Sequence, residues 1–206
     1  MIIKNDPSHV VIAKYNTMDE GTREEYHACV ELSKPFKAKL ADRLLDAVTA
    51  LKKSYPGEQV DRYVHSLQSA TRAHRDGQDE EMVVAALLHD IGDMHCPENH
   101  AEFAASVLRP YVSPSTHWVI LRHGLFQGYY YFHHFDLDRN ARDKFRGHPD
   151  YERCADFCGK YDQMSFDPNY DTMPLEAFEP MVRRIFAREP WGGQTKMDEA
   201  LSRAYA

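Results

Sequence analysis

The chain has 206 residues, 43% hydrophobic and 28% charged, with a formal net charge of −7 at pH 7. This length buries a core without staples and fits one domain, 1–206; the composition excludes global disorder, and no apolar run approaches the roughly 20 residues of a bilayer span. The acidic balance excludes a general affinity for nucleic acid or an anionic membrane, since phosphate binding needs local positive charge. A small molecule is the expected partner, for a monomer or small homo-oligomer.

The start, MIIKNDPSHVV, has neither a cationic leader nor a small-residue cleavage site. The cysteines (Cys29, Cys96, Cys154, Cys158) form no CxxC pair. Both point to a reducing, cytoplasmic setting. The unusual feature is twelve histidines, because neutral imidazole is the commonest transition-metal ligand.

Apolar periodicity is helical nearly throughout, which makes the fold all-α. Residues 1 to about 17 read as an irregular arm, with a short extended piece at Val10 to Ala13. A first helix is predicted over about 18–33. Pro35 is placed early in a second, where Leu40, Leu44, Val48 and Leu51 recur at helical spacing until Tyr55-Pro56-Gly57 stops the run. A third is predicted over about 58–77 and a fourth from about Asp79 through VVAALLHDI to Gly92, both ending on glycine caps. Pro97 opens a helix with His100, Phe103, Ala104 and Val107 on one stripe, and Ser113-Pro114 is an N-cap and N1 pair for the helix of His123. A loop-rich stretch is expected over about 127–148, then a helix over 150–162 with Cys154, Cys158 and Asp162 at i, i+4 and i+8. Two shorter helices close the chain.

His89-Asp90 ends an apolar helix, so two metal-binding groups enter a buried segment together. A buried carboxylate demands compensation, either from a hydrogen-bonded histidine or from cations bridged by its two oxygens. Each remaining histidine, taken alone, reads equally well as a ring bonded to a backbone carbonyl. Taken together, His65, His89, Asp90, His100, His123 and Asp162 supply ligands from five helices. A physical division puts His65, His89 and Asp162 on one ion and His100 and His123 on another, with Asp90 between them and positions open for water or substrate.

The order and setting of these residues resemble the HD-domain superfamily. Within it, the chain is similar to the mixed-valent diiron oxygenases that cleave hydroxylated organophosphonates. The likeness runs over roughly residues 55–165 and rests on HSLQ at 65–68, EMVVAALLHDIG at 81–92, NHAEFAASVLRPYV at 99–112, His123 and Asp162. It implies an HD-domain helical bundle with a dinuclear site in the core, loaded as Fe(II)/Fe(III) with O2 as co-substrate. Tyr55 and Glu58 stand before His65 with the spacing of that family's lid pair; the resemblance gives Tyr55 the role of capping an iron position and Glu58 that of facing the substrate's cationic end. It implies a small hydroxylated zwitterion, such as a 1-hydroxy-2-(trimethyl)aminoethylphosphonate, cleaved at the C–P bond.

Two positions depart from the family: Asp93 follows HDIG where relatives carry histidine or lysine, and Gln127 stands where a phosphonate-binding lysine is expected. Both remain substrate-binding candidates, with Arg122, Lys160, Arg139 and His133 as further anion candidates. The run Tyr129, Tyr130, Tyr131 and Phe132, beside His133 and His134, offers ring faces to a quaternary ammonium, Tyr130 above all. The competing enzyme class is a dinuclear phosphohydrolase acting on a small phosphate ester or nucleotide, in which the ions activate water. The third is a non-catalytic ligand sensor on the same scaffold.

Overall fold

The structure, a computed structural model, describes residues 13–193; residues 1–12 of the arm expected at 1 to about 17 lie outside them. Among the described residues every regular element is helical and no strand is present. They fall into two compact units divided after Leu40, and every residue read above as a metal ligand lies in the second.

The first unit carries α1 (Arg23–Ala38), which buries none of its residues. Its start is fixed by a capping box: the Glu25 N–H donates to Thr22 Oγ1 at 3.3 Å, and the Thr22 N–H donates back to the Glu25 carboxylate at 2.9 Å. Where the periodicity predicts a break near residue 33 and Pro35 opening the next helix, α1 runs through Pro35 to Ala38. Pro35 has no N–H for the Glu31 carbonyl, so the helix runs on for one more turn at the loss of that bond, in the frame set by the cap at Thr22.

The second unit begins at Ala41 within α2 (Leu40–Ala50), which buries Ala41, Leu44, Leu45 and Val48. Next comes α3 (Arg62–Arg75), four residues later than predicted because Asp61, not Glu58, caps it, accepting from the Val64 N–H at 2.8 Å. Its exit uses Gly77 at φ +75°, a left-handed conformation favoured by glycine. Asp79 then caps α4 (Glu80–Leu88), whose residues from Met82 to Leu88 are all buried. A helix apolar all round has to be enclosed, and α4 is, by α3, α6 and α8. The end of α4 therefore delivers His89 and Asp90 to the middle of the core.

Gly92 is not the helix cap the sequence suggests. It sits in a 3-10 turn, Ile91–Met94, against α5 (His100–Leu108), where an added Cβ would lie 2.6 Å from the His100 backbone. Ser113 and Pro114 open α6 (Pro114–Tyr131) as predicted, the Thr116 N–H donating to Ser113 Oγ at 3.2 Å. This helix runs five residues into the expected loop before 3-10 turns at Phe132–Phe135 and Ala141–Phe145. Then α7 (Tyr151–Asp156) passes directly into a π-helical turn, Phe157–Asp162. The unit closes with α8 (Leu175–Phe186), which buries Leu175, Phe178, Val182 and Ile185. Among the described residues no helix is long and apolar enough to cross a membrane.

Candidate metal centre

Four histidines from four places in the fold share one arrangement. Each Nδ1–H donates to a backbone carbonyl: His65 to Ser165 at 3.0 Å, His89 to Ala86 at 2.8 Å, His100 to Pro97 at 3.0 Å and His123 to Ile120 at 2.7 Å. A carbonyl only accepts, so the proton of each neutral ring is fixed on Nδ1 and its lone pair on Nε2. The bond to a carbonyl, which alone would mark an ordinary core histidine, here aims the other nitrogen.

The Nε2 atoms converge on two carboxylates. Asp90 Oδ2 lies 3.3 Å from both His65 Nε2 and His89 Nε2, while Asp90 Oδ1 lies 3.6 Å from His100 Nε2 and 3.5 Å from His123 Nε2. Asp162 Oδ1 stands 3.3 Å from His65 Nε2 and 3.7 Å from His89 Nε2. One carboxylate thus shows each of its oxygens to a different histidine pair, and a second carboxylate completes one side.

Those spacings suit metal coordination. Two ligands each about 2.1 Å from one ion stand about 3.0 Å apart at a right angle and about 3.4 Å apart in a tetrahedron. His65 Nε2 and His89 Nε2 are 3.1 Å apart, so two lone pairs face each other across a gap that only a cation, proton or metal, makes favourable. His65, His89 and Asp162 form one group whose ligand atoms lie within 4.8 Å of one another, His89, Asp90 and His123 a second, and Asp90, Asp93 and His100 a third. His123 Nε2 and Asp162 Oδ2 are buried without a hydrogen-bond partner, and such atoms are costly unless something coordinates them.

The electrostatics agree. Burial disfavours a charged His89, but the Asp90 and Asp162 carboxylates outweigh it and hold the ring's pKa well above the ordinary value. Burial likewise opposes charge at Asp90, yet His89, His123 and His65 hold it well below the usual carboxylate range, and Asp162 is lowered in the same way by His65 and His89. Such a cluster keeps its carboxylates ionised and attracts positive charge. Imidazole and carboxylate donors fit iron, manganese or zinc.

Asp90, His100, His123 and Asp162 of this cluster line a cavity of about 510 Å³ whose wall also includes Tyr55, Glu58, Arg62, Gln127, Tyr130 and Phe166. Tyr55 and Glu58 stand at its solvent edge, 50% exposed and with a side chain 42% exposed. Burial pushes the Tyr55 hydroxyl up to about 12, Arg62 working against it. Gln127 donates to Asp162 Oδ1 at 3.0 Å, and Tyr130 also reaches Gly159 of the π turn, where a Cβ would meet its hydroxyl at 2.9 Å. Asp93 is buried between partners: Oδ1 lies 3.5 Å from His100 Nδ1, and Oδ2 lies 3.4 Å from Arg62 Nε and accepts from the Tyr55 hydroxyl at 3.3 Å.

The other anion candidates are elsewhere. Arg122 lies over Phe145, Arg139 over Tyr129, Lys160 pairs with Asp156, and His133 packs on His134; none lines the cavity. Tyr131 does line it, whereas Tyr129, Phe132 and His134 do not. Among the described residues, the lysine or arginine in the wall is Arg62, which sequence reasoning passed over. The available signal was its spacing, one helical turn before His65 on the same face of α3. A larger cavity of about 720 Å³, lined by Arg109, Tyr111 and Trp191 among others, holds none of the cluster.

Residues 62–162 match the family described as HD domain. The chain is also 58% identical over 38 residues to a [1-hydroxy-2-(trimethylamino)ethyl]phosphonate dioxygenase (glycine-betaine-forming) of Leisingera caerulea. That match covers 18% of this chain and 19% of the relative's length.

Proposed function

We propose that this protein, whose residues 62–162 match the HD domain family, uses two iron ions and O2 to oxidise and cleave a small hydroxylated zwitterion. The substrate class is a 1-hydroxyphosphonate with a trimethylammonio or amino group on the next carbon. The observation that carries this reading is the stretch of 58% identity to a dioxygenase of such a compound.

The overall reaction balances without a further reductant: the carbinol carbon and one O2 give a carboxylate, inorganic phosphate and a proton, as the C–P bond breaks. Bound iron would supply the dioxygen chemistry. His65, His89 and Asp162 would hold one ion, His100 and His123 the other, and Asp90 would lie between them. The chain's further contribution is binding and shielding. A cavity of about 510 Å³ is of the size that small ligands occupy. Tyr55 covers the cluster from the mouth, and the Glu58 carboxylate offers a counter-charge to a cationic end. The ring faces of Tyr130, Tyr131 and Phe166, all in the wall, suit a quaternary ammonium.

A two-ion cluster in an HD domain equally supports hydrolysis of a phosphate ester, so the test has to separate the two. Iron-loaded protein is incubated with the hydroxyphosphonate while O2 uptake and phosphate release are recorded together. The expected result is one phosphate per O2 consumed. Phosphate release that continues unchanged under nitrogen would make the C–P cleavage hydrolytic and overturn the oxygenase, and O2 uptake without phosphate would remove the phosphonate from the proposal.

A further inference from the structure

Arg62 opens α3, and its backbone is fixed by the Asp61 cap. Its side chain is 15% exposed and reaches across the cavity towards the cluster, 5.1 Å over the Tyr55 ring and 5.7 Å over that of Phe166. The guanidinium faces three carboxylates without closing on any of them. Nη2 is 3.5 Å from Glu58 Oε1, Nη1 is 3.6 Å from Asp90 Oδ2 and Nε is 3.4 Å from Asp93 Oδ2. Charge-assisted bonds from arginine to a carboxylate normally close to about 2.7–2.9 Å, often in pairs. Here the short bond is to a phenol, Nη2 donating to the Tyr55 hydroxyl at 2.7 Å, and the buried Nε has no hydrogen-bond partner. A planar fork with five donors is thus presented to the cavity with most of them unused.

The position is as telling as the vacant donors. Nη1 stands beside the Asp90 oxygen that faces His65 and His89. A group held on this fork therefore lies next to the cluster, with a substituent on its neighbouring carbon within reach of it. Glu58, Asp90, Asp93 and Asp162 would all repel an incoming anion, and Gln127 and Asp93 bring no positive charge of their own. The fixed cation in the wall is Arg62.

Resting on the reading of a small zwitterionic substrate at this site, we infer that Arg62 is its anion-binding residue, taking the phosphonate or carboxylate on a guanidinium edge that Tyr55 and Asp93 cover until it arrives. Tyr55 is the partner placed to yield, being half exposed, while Asp93 is a resident competitor for the same fork. Arg62 thus does for this chain what a lysine at position 127 would do.

The test uses the full chain loaded with zinc, which is redox-inert, so that binding is read without turnover; the probe is methylphosphonate, followed by calorimetry. Arg62→Gln is expected to weaken binding about tenfold or more, and Arg62→Lys, which keeps the charge and loses the fork, by less. Asp93→Asn is expected to tighten binding several-fold, a gain that a merely structural Arg62–Asp93 pair would not produce. Zinc content should stay at the wild-type level in both Arg62 variants. Wild-type affinity in Arg62→Gln overturns the assignment, as does a wild type that ignores millimolar methylphosphonate, or loss of zinc together with the anion in both Arg62 variants. Failure of the oxygen assay with these affinities intact would instead sink the oxygenase and leave the anion site standing.

Discussion

At the scale of single residues the centre depends on one that carries no side chain. Gly92 lets the turn after Asp90 lie against α5, where a Cβ would stand 2.6 Å from both the His100 Cα and its carbonyl oxygen. Neither is a flexible atom that can move aside. Gly92→Ala should therefore cost about 1–3 kcal/mol by overpacking and push His100 off the Asp90 Oδ1 side of the cluster. Urea denaturation would show the loss, and metal analysis should show less than the wild-type content. Sequence alone gives Gly92 a helix-capping role because capping is a local signal, whereas this contact joins segments through the fold. Arg62 was hidden for the same reason: its burial depends on Tyr55 and on Phe166, a hundred residues downstream. His65, His89, Asp90, His100, His123 and Asp162 were legible because imidazoles and carboxylates on apolar stripes have few other uses. What residue types could not supply was the direction of each Nε2, which is set by carbonyls in turns and helix ends.

At the scale of elements, the start of α6 was legible and its end was not. Ser113-Pro114 is a local chemical pair, and it opens α6 where expected; at the other end Phe132 folds back over Gly128 as α6 closes at Tyr131, a contact that apolar periodicity does not register. The first turn of α4 shows how a cap region ties elements together. Glu81 accepts from the Ser113 N–H at 2.8 Å and from Arg188 at 2.5 Å, joining α4 to the start of α6 and to the segment after α8. Burial pushes its carboxyl up, but Ser113 and Arg188 pull harder and leave the pKa below the ordinary value. A pKa lowered by folding stabilises the fold above the unfolded value, about 4.3, and that contribution disappears as pH falls through the folded value. Glu81→Gln should therefore cost about 1 kcal/mol at pH 7. Between about pH 5 and 3 the variant should lose stability less steeply than the wild type, since it no longer has this proton to take up. Urea midpoints across that range check it; parallel curves would remove Glu81 from the acid response.

At the scale of the whole molecule the cluster concentrates like charges that only cations reconcile. Asp90 and Asp162 are nearly inaccessible, and four Nε2 lone pairs crowd against them. Ions that bind the folded chain and not the unfolded one stabilise it by mass action, about 2.7 kcal/mol at a hundredfold excess over Kd. For a domain of this length that corresponds to a melting temperature about 5–10 °C lower after chelation. Differential scanning of metal-loaded and chelated protein measures the difference, and equal melting temperatures would mean that the cluster holds its charges together by protons alone.

The π turn at Phe157–Asp162 makes chain length, more than composition, the local constraint on the site. It is anchored at its entrance, Cys154 donating to the Val119 carbonyl and Cys158 to that of His123. Such a turn holds one residue more than an α-helical turn in the same span. A chain one residue shorter here would rewind as an ordinary α-helical turn over the same span and leave the later side chains in register. One residue more has no such outlet, and each later side chain would rotate by about 100° around the axis. Asp162 would then swing out of the group it shares with His65 and His89. Point changes on the outer face leave that carboxylate aimed, while a single-codon insertion disarms it without removing any of the six converging side chains.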